Sequence, residues 1–177
     1  MKISKLPYLF FLLILLIFFY LLIIERNPSK IPSALLNKSV PLFETESLIK
    51  NEKFISSEIF DNQTIIVNFF ATWCKPCRDE HDYIKRFANE KNLKVVGINY
   101  KDKPELAIEW LNNLGNPYSN IGLDKNGKIA INWGVYGIPE TFLVNSKGVI
   151  KYRHVGQITK KVYKEINLII AAGINDE

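Results

Sequence analysis

Cysteine is nearly absent from this chain of 177 residues: there are two, Cys74 and Cys77. A bridge between residues three apart closes so short a loop that it stabilises a fold little, which argues against a purely structural disulfide. A four-ligand zinc site is also disfavoured. No second C-x-x-C and no H-x-x-x-H accompanies the pair, and His81, one turn after Cys77, supplies only one further ligand. Arg78 stands where covalent haem attachment through C-x-x-C-H requires histidine. Basic runs and aromatic ladders are missing, so the formal charge of +5 reads as scattered lysines on a solvated surface, not as a nucleic-acid footprint. Internal repeats are missing too.

Charge is wholly absent from Leu6 to Ile24, where only Pro7, Tyr8 and Tyr20 interrupt an apolar run of about nineteen residues. That is close to the roughly twenty a membrane-spanning helix needs, and no polar face marks it as a core helix. An A-x-A-like cleavage site is lacking at Ile23-Ile24-Glu25-Arg26-Asn27, so the run reads as an uncleaved anchor. Lys2 and Lys5 favour a cytoplasmic N-terminus, with Arg26 and Lys30 weakening the asymmetry. The expected organisation is a cytoplasmic stub over 1–5, a transmembrane anchor over 6–24 and a Pro- and Ser-bearing tether over 25–39. One domain follows over 40–174, with a tail over 175–177. The remainder of the chain then lies outside the cytoplasm.

What is present is chemistry at one place. The run Ile65-Ile66-Val67-Asn68-Phe69-Phe70 empties into Trp73-Cys74-Lys75-Pro76-Cys77. A strand leading into C-x-x-C at a helix start is the layout of a thiol–disulfide exchange site. Unpaired N–H groups and the positive end of the helix dipole stabilise a thiolate there, and Pro76 fits where its missing N–H costs nothing. In an oxidising compartment, one such pair handles disulfides in other proteins.

Periodicity fills in the rest. Pro41-Leu42-Phe43 and Phe54-Ile55 read as strands of an N-terminal hairpin, and Ile65–Phe70 as a central strand buried on both faces. A helix to about Asn89 buries Cys77, Ile84, Phe87 and Ala88, and a second buried strand spans Val95–Tyr100. Pro104 opens a helix with Ala107, Trp110, Leu111 and Leu114 on one face, ended by Gly115. Asn126-Gly127 marks a turn and Lys128–Trp133 a short helix. Thr141–Val144 and Val149–Val155 form a hairpin, and a last helix from Thr159 to Ala172 turns Val162, Ile166, Ile169 and Ile170 inward. The order β-α-β-α-β-β-α is that of an α/β, thioredoxin-like fold: a central mixed sheet flanked by helices, here with a hairpin extension and one N-terminal transmembrane helix.

Five blocks in order carry a closer resemblance: Val67 to His81, Gly97-Ile98-Asn99-Tyr100-Lys101-Asp102, Gly115-Asn116-Pro117-Tyr118, Gly134 to Phe142, and Tyr152-Arg153-His154-Val155-Gly156. The first resembles the active-site segment of membrane-anchored thioredoxin-like reductases, and the four later blocks, far more specific, resemble the CcmG/DsbE family, related to TlpA and ResA. These are the thiol:disulfide interchange proteins of cytochrome c biogenesis. The resemblance implies a single-pass protein of the bacterial inner membrane with its thioredoxin-like domain in the periplasm. Its activity would be that of a protein-disulfide reductase with no cofactor beyond the redox-active Cys74–Cys77 pair. The implied partners are apocytochrome c or a CcmH-like maturation protein as client, and a DsbD- or CcdA-type membrane protein as electron donor. A TlpA- or ResA-like reductase with another client, or a non-catalytic factor that holds apocytochrome, are the alternatives.

Carried onto these residues, the resemblance makes Cys74 the attacking thiolate and Cys77 the resolving thiol. Ile138-Pro139 matches the loop that holds a cis-proline opposite the dithiol, with an ordinary trans turn as the alternative. With Trp73, these residues form the expected substrate groove. Ordinary thioredoxins bury an aspartate on the central strand; Asn68 stands there and cannot accept a proton. Glu80 and Glu140 are the acids near the dithiol, either able to take the Cys77 proton if burial raises its pKa. Otherwise Glu80 is a solvated helix residue and Glu140 a substrate-facing surface acid. His81 reads as helix packing, His154 has no assigned chemistry, and Trp110 and Trp133 read as core.

Overall fold

The computed structural model describes residues 5–23, 35–49, 53–55, 63–91 and 93–173. The chain divides into two compact units, Met1–Lys30 and Ile31–Glu177. In the first, helix α1 spans Leu6–Ile23 and is apolar on every side, with almost all its side chains exposed. No helix among the described residues is long and apolar enough to cross a membrane. The expected transmembrane span over 6–24 thus finds no support among the described residues, where α1 covers 18 of its positions, a rise of about 27 Å. Ile24, most of the expected tether and the C-terminal tail lie outside the described residues.

The second unit is organised by its apolar strands. A two-stranded hairpin, β1 (Glu44–Glu46) and β2 (Lys53–Ile55), precedes β3 (Ile65–Phe70), in which all six residues are buried. Then come helix α2 (Lys75–Lys91), β4 (Lys94–Tyr100), α3 (Pro104–Leu114), β5 (Asn120–Asp124) and the short α4 (Lys128–Asn132). The hairpin strands β6 (Glu140–Val144) and β7 (Ile150–Val155) and helix α5 (Lys160–Ala171) complete it. The main sheet has the order β5-β4-β3-β6-β7. Strand β3 pairs in parallel with β4 and antiparallel with β6, so it is central in a mixed sheet. Both its faces are covered, which is why it reads as a continuous apolar run.

Two core clusters lie on the two faces. Ile66 and Phe70 join Ile84 and Phe87 of α2, Trp110 and Leu111 of α3, and Tyr163 and Ile166 of α5. Ile65, Val67 and Phe69 join Ile129 of α4, Trp133 and Phe142. The alternation is that of a strand. On the α5 face Tyr163 and Ile166 are buried, whereas Val162, Ile169 and Ile170 are only partly covered.

Two elements differ from expectation. The first hairpin strand begins at Glu44, pairing Glu44 with Ile55, instead of occupying Pro41–Phe43. The residues before it are already engaged: Val40 N–H bonds Gly148 O at 2.9 Å and Ser39 bridges Val149, while Pro41 has no N–H to give. Strand β5 has no sequence counterpart in the expected order. It is five residues long with Gly122 inside it, too short and too weakly β-forming to register as a strand. Its partner β4 enforces it.

Gly97 of β4 lies against the rings of Phe70 and Tyr118, where an added Cβ would stand 2.9 Å and 3.0 Å from ring carbons. Gly97→Ala is expected to destabilise the protein by about 1–3 kcal/mol through overpacking, measured as a lowered midpoint in urea unfolding at unchanged slope.

Candidate active site

Strand β3 delivers the chain to the sheet's end, and the turn after Phe70 sets Cys74 just before α2. Cys74 and Cys77 form a disulfide, with Cα atoms 5.3 Å apart. Both are buried in this state, Cys74 (5% exposed) slightly less than Cys77 (2%). The Cys77 N–H donates to Cys74 Sγ at 3.1 Å, and the Arg78 N–H to Cys74 O at 3.3 Å. One backbone donor at the helix start, the Cys77 N–H, therefore already points at the sulfur that would carry thiolate charge. Lys75 is 2.7 Å from Asp79 in an exposed pair, which screens its charge from the site.

Trp73 is 60% exposed, and its Nε1–H donates to Lys101 O at 3.2 Å. The same loop holds Thr72: Asp102 accepts from the Thr72 N–H at 2.6 Å and from its hydroxyl at 2.9 Å, and from Asn99 Nδ2 at 3.1 Å. Asp102 thus fixes Thr72, and Lys101 O holds Trp73, the two residues before Cys74. Across the sheet, Phe69 pairs with Glu140, which puts Pro139 at the level where β3 ends. The Ile138–Pro139 bond is cis. Pro139 is buried, its carbonyl accepts from Gly156 N–H at 2.9 Å, and Ile138 is half-buried beside it.

Neither acid is at the surface. Glu80, 1% exposed, accepts from Asn68 Nδ2 at 2.9 Å through Oε1 and from Ile158 N–H at 2.7 Å through Oε2. Burial pushes its carboxyl from an ordinary value of 4.5 up to about 8, against the pull of the Ile158 and Asn68 hydrogen bonds. Asn68 also donates to Thr141 Oγ1 at 3.1 Å and accepts from the Tyr118 hydroxyl at 2.8 Å. Burial and the Glu80 charge hold the Tyr118 phenol well above its usual pKa, so it remains a donor. Tyr118 and Thr141 are members of this cluster that side-chain spacing did not single out.

Glu140 is fully buried and ion-paired with Arg153, whose Nη2 also donates to Gly134 O at 2.8 Å. Its Oε2 accepts from Tyr136 N–H at 3.0 Å. Burial raises its pKa, and Arg153 opposes the rise. His81 is buried against Trp110, ring centroids 4.4 Å apart, with Nε2 bonded to Gly115 O at 2.8 Å. Burial lowers its pKa, leaving a neutral packing residue. His154 Nε2 lies 3.1 Å from Gln157 O, and Trp110 and Trp133 are core. Among the described residues, no group of three or more His, Cys, Asp or Glu comes together as a metal site.

A mixed sheet with C-x-x-C at the head of its first covering helix and a cis-proline beside it defines a thioredoxin-fold thiol–disulfide oxidoreductase. Residues 35–167 match the redoxin family. The chain is 42% identical over 139 residues to the thiol:disulfide interchange protein DsbE of Vibrio cholerae, covering 78% of this chain and 75% of that one. It is 41% identical over 140 residues to DsbE of Escherichia coli K12, with the same coverage. It is 43% identical to the thiol:disulfide interchange protein CycY of Rhizobium leguminosarum, covering 79% and 75%. Among solved structures, a DsbE-type protein from Chlorobium tepidum superposes with a TM-score of 0.70 at 22% identity, over 79% of this chain and 98% of that one. The chain belongs to the CcmG/DsbE family of redoxins and is a protein-disulfide reductase.

The raised Glu80 pKa has a consequence for stability. Between pH 4.5 and 8 the unfolded carboxyl is ionised while the folded one keeps its proton, so this group's contribution falls as pH rises and is lost above about 8. Glu80→Gln removes that loss. Relative to the parent, its stability is expected to climb across this window by on the order of a few kcal/mol, read by urea unfolding at pH 5 and pH 9.

Proposed function

We propose that this protein is a membrane-tethered, periplasm-facing reductase that keeps the haem-binding cysteines of apocytochrome c, or of a CcmH-like protein holding it, in the dithiol form. The observation that carries the reading is the Cys74–Cys77 disulfide at the head of α2, with cis-Pro139 at the start of the neighbouring strand β6 and the buried Glu80 carboxyl on the same helix. The Cys74 thiolate attacks one sulfur of the client disulfide, whose other sulfur leaves as a thiolate. Glu80, ionised, takes the proton from Cys77. The Cys77 thiolate then attacks Cys74 Sγ, expelling the second client sulfur and forming the Cys74–Cys77 disulfide. Two electrons pass to the client, and a DsbD- or CcdA-type membrane protein restores the dithiol. Trp73 and Ile138 flank the client, and Pro139 positions its backbone. Glu140 is engaged by Arg153 and by Tyr136 N–H, so it shapes the loop before Pro139 and leaves proton transfer to Glu80.

The anchor is Leu6–Ile24. The described helix is unbroken and apolar all round, a surface that water disfavours and lipid accepts. No cofactor beyond the cysteine pair enters the scheme.

The test is a redox titration followed by single-turnover reaction with an oxidised C-x-x-C-H peptide. Reduction of the peptide is expected, with the resolving step rising with pH to half its maximum near pH 8. A potential as oxidising as about −120 mV with no reduction of the peptide would refute the reading. Cys77→Ser is expected to stall at a mixed disulfide through Cys74, whose bound partner identifies the client. For the anchor, alkaline extraction is expected to leave the full chain with membranes. A chain beginning at Ser33 should appear in the soluble fraction and still reduce the peptide.

A further inference from the structure

His154 has no part in the exchange scheme, yet one peptide unit ties it to Glu80. Its Nε2 lies 3.1 Å from Gln157 O, and the Ile158 N–H donates to Glu80 Oε2 at 2.7 Å. A carbonyl oxygen only accepts, so Nε2 carries the ring hydrogen in that bond. Gln157 C=O and Ile158 N–H are the two polar ends of one planar amide, so the direction of one fixes the direction of the other. This amide falls between β7, which ends at Val155, and α5, which begins at Lys160, outside the ladders of regular structure. It is oriented by His154 at one end and Glu80 at the other.

The sheet sets His154 in place for this. Asn68 pairs with Thr141 and Thr141 with His154, so the three form one row across β3, β6 and β7 on a single face. Glu80 stands at the Asn68 end of the row, bonded to Asn68 Nδ2 at 2.9 Å. His154 is buried at the other end, while Arg153, next along β7, is turned to Glu140. The charge that acts on the imidazole is that of Glu165 on α5, itself bonded to the Tyr152 hydroxyl at 3.2 Å. Burial holds His154 below its ordinary pKa, against the pull of Gln157 O and Glu165, so the ring is neutral where Glu80 titrates. Around Glu80 itself are Asn68, the Ile158 N–H, the Tyr118 phenol and, one turn back on α2, Cys77. His81, next along the helix, is turned to Gly115.

We propose that His154 is a positioning residue for the reductase: by donating to Gln157 O it aims the Ile158 N–H at Glu80 and so sets how readily Glu80 takes the Cys77 proton. The inference rests on Glu80 as the proton carrier. A backbone donor fixed on Oε2 favours the ionised carboxyl, the form that accepts the proton, and opposes the effect of burial. Without the imidazole the amide turns more freely, its N–H bonds Glu80 less firmly, and a larger share of the carboxyl keeps its own proton.

The test is solution NMR on the disulfide form of the full chain in detergent micelles, with backbone amides and histidine rings labelled with nitrogen-15, from pH 7 to pH 9.5. The Ile158 amide and His154 Nε2–H signals should both move with the midpoint of the Glu80 carboxyl carbon. His154→Leu should raise that midpoint by about one unit, the worth of a hydrogen bond to a charged group. The resolving step should then slow about tenfold at pH 7, its profile moving up by the same interval. His154→Gln, whose amide places a donor near the position of Nε2, should restore both. Combined with Glu80→Gln, His154→Leu should slow the resolving step no further than Glu80→Gln does alone. If Glu80 titrates while the His154 Nε2–H signal stays still, or if His154→Gln behaves as His154→Leu does, the positioning role is refuted and the proton-carrier role stands. If Glu80 shows no titration in this range, or Glu80→Gln leaves the resolving step unchanged, the proton-carrier role fails and this inference with it.

Discussion

Strand β3 is closed in on all sides, with β4 and β6 as hydrogen-bonded neighbours and a core cluster on each face. Six buried residues in a row leave no solvent to satisfy a polar side chain, so whatever polarity the strand carries must be answered by other elements. The position of the reactive pair follows from the same burial. The strand ends at Phe70, the chain turns, and Cys74 emerges at the sheet's end. The neighbouring antiparallel strand starts at the same level and brings Pro139 alongside. One buried strand thus indexes Cys74 and Pro139 against each other although they lie far apart in sequence.

Its single polar residue, Asn68, is answered from three directions: Glu80 on α2, Tyr118 after α3 and Thr141 on β6. Such a cluster is costly in part and favourable only when complete. Glu80 in turn holds Ile158 N–H, so the connection from β7 into α5 is tied to the helix that bears the cysteines. The acidic residue is therefore architectural as well as ionisable. Arg153 and Glu140 play the comparable part on the other side, fixing the loop from Gly134 to Tyr136 in front of the proline.

What the sequence disclosed and what it hid divide by range. The buried strand, the cysteine pair, the helix opened by Pro104 and the Asn145–Gly148 hairpin turn were legible because each is specified by its own residues. Trp110 and Trp133 were legible as core from hydrophobicity alone. Strand β5 was not, because Asn120–Asp124 is a strand only through β4. The start of β1 was misjudged because Leu42 and Phe43 have the composition of a strand, while the pairing partners lie at polar Glu44–Glu46. Glu80 was identifiable as an acid near the dithiol. Its burial was not, since it depends on Asn68 and Ile158, 12 and 78 positions away. Asp102 was hidden for the same reason: its hold on Thr72 spans 30 residues.

Segments of the protein's own chain run along parts of both sheet margins. On one margin, Asn37 N–H bonds Ile150 O at 2.8 Å, Ile150 N–H bonds Lys38 O at 3.0 Å and Val40 N–H bonds Gly148 O at 2.9 Å. On the other, Leu48 N–H bonds Ile121 O at 2.9 Å and Ser47 bridges Gly122. The start of β7 and the Ile121–Gly122 part of β5 are thus covered by the protein's own chain, where an open strand would invite another chain to add itself to the sheet. With those edge groups already bonded, a second copy of this chain finds no template there for edge-to-edge pairing.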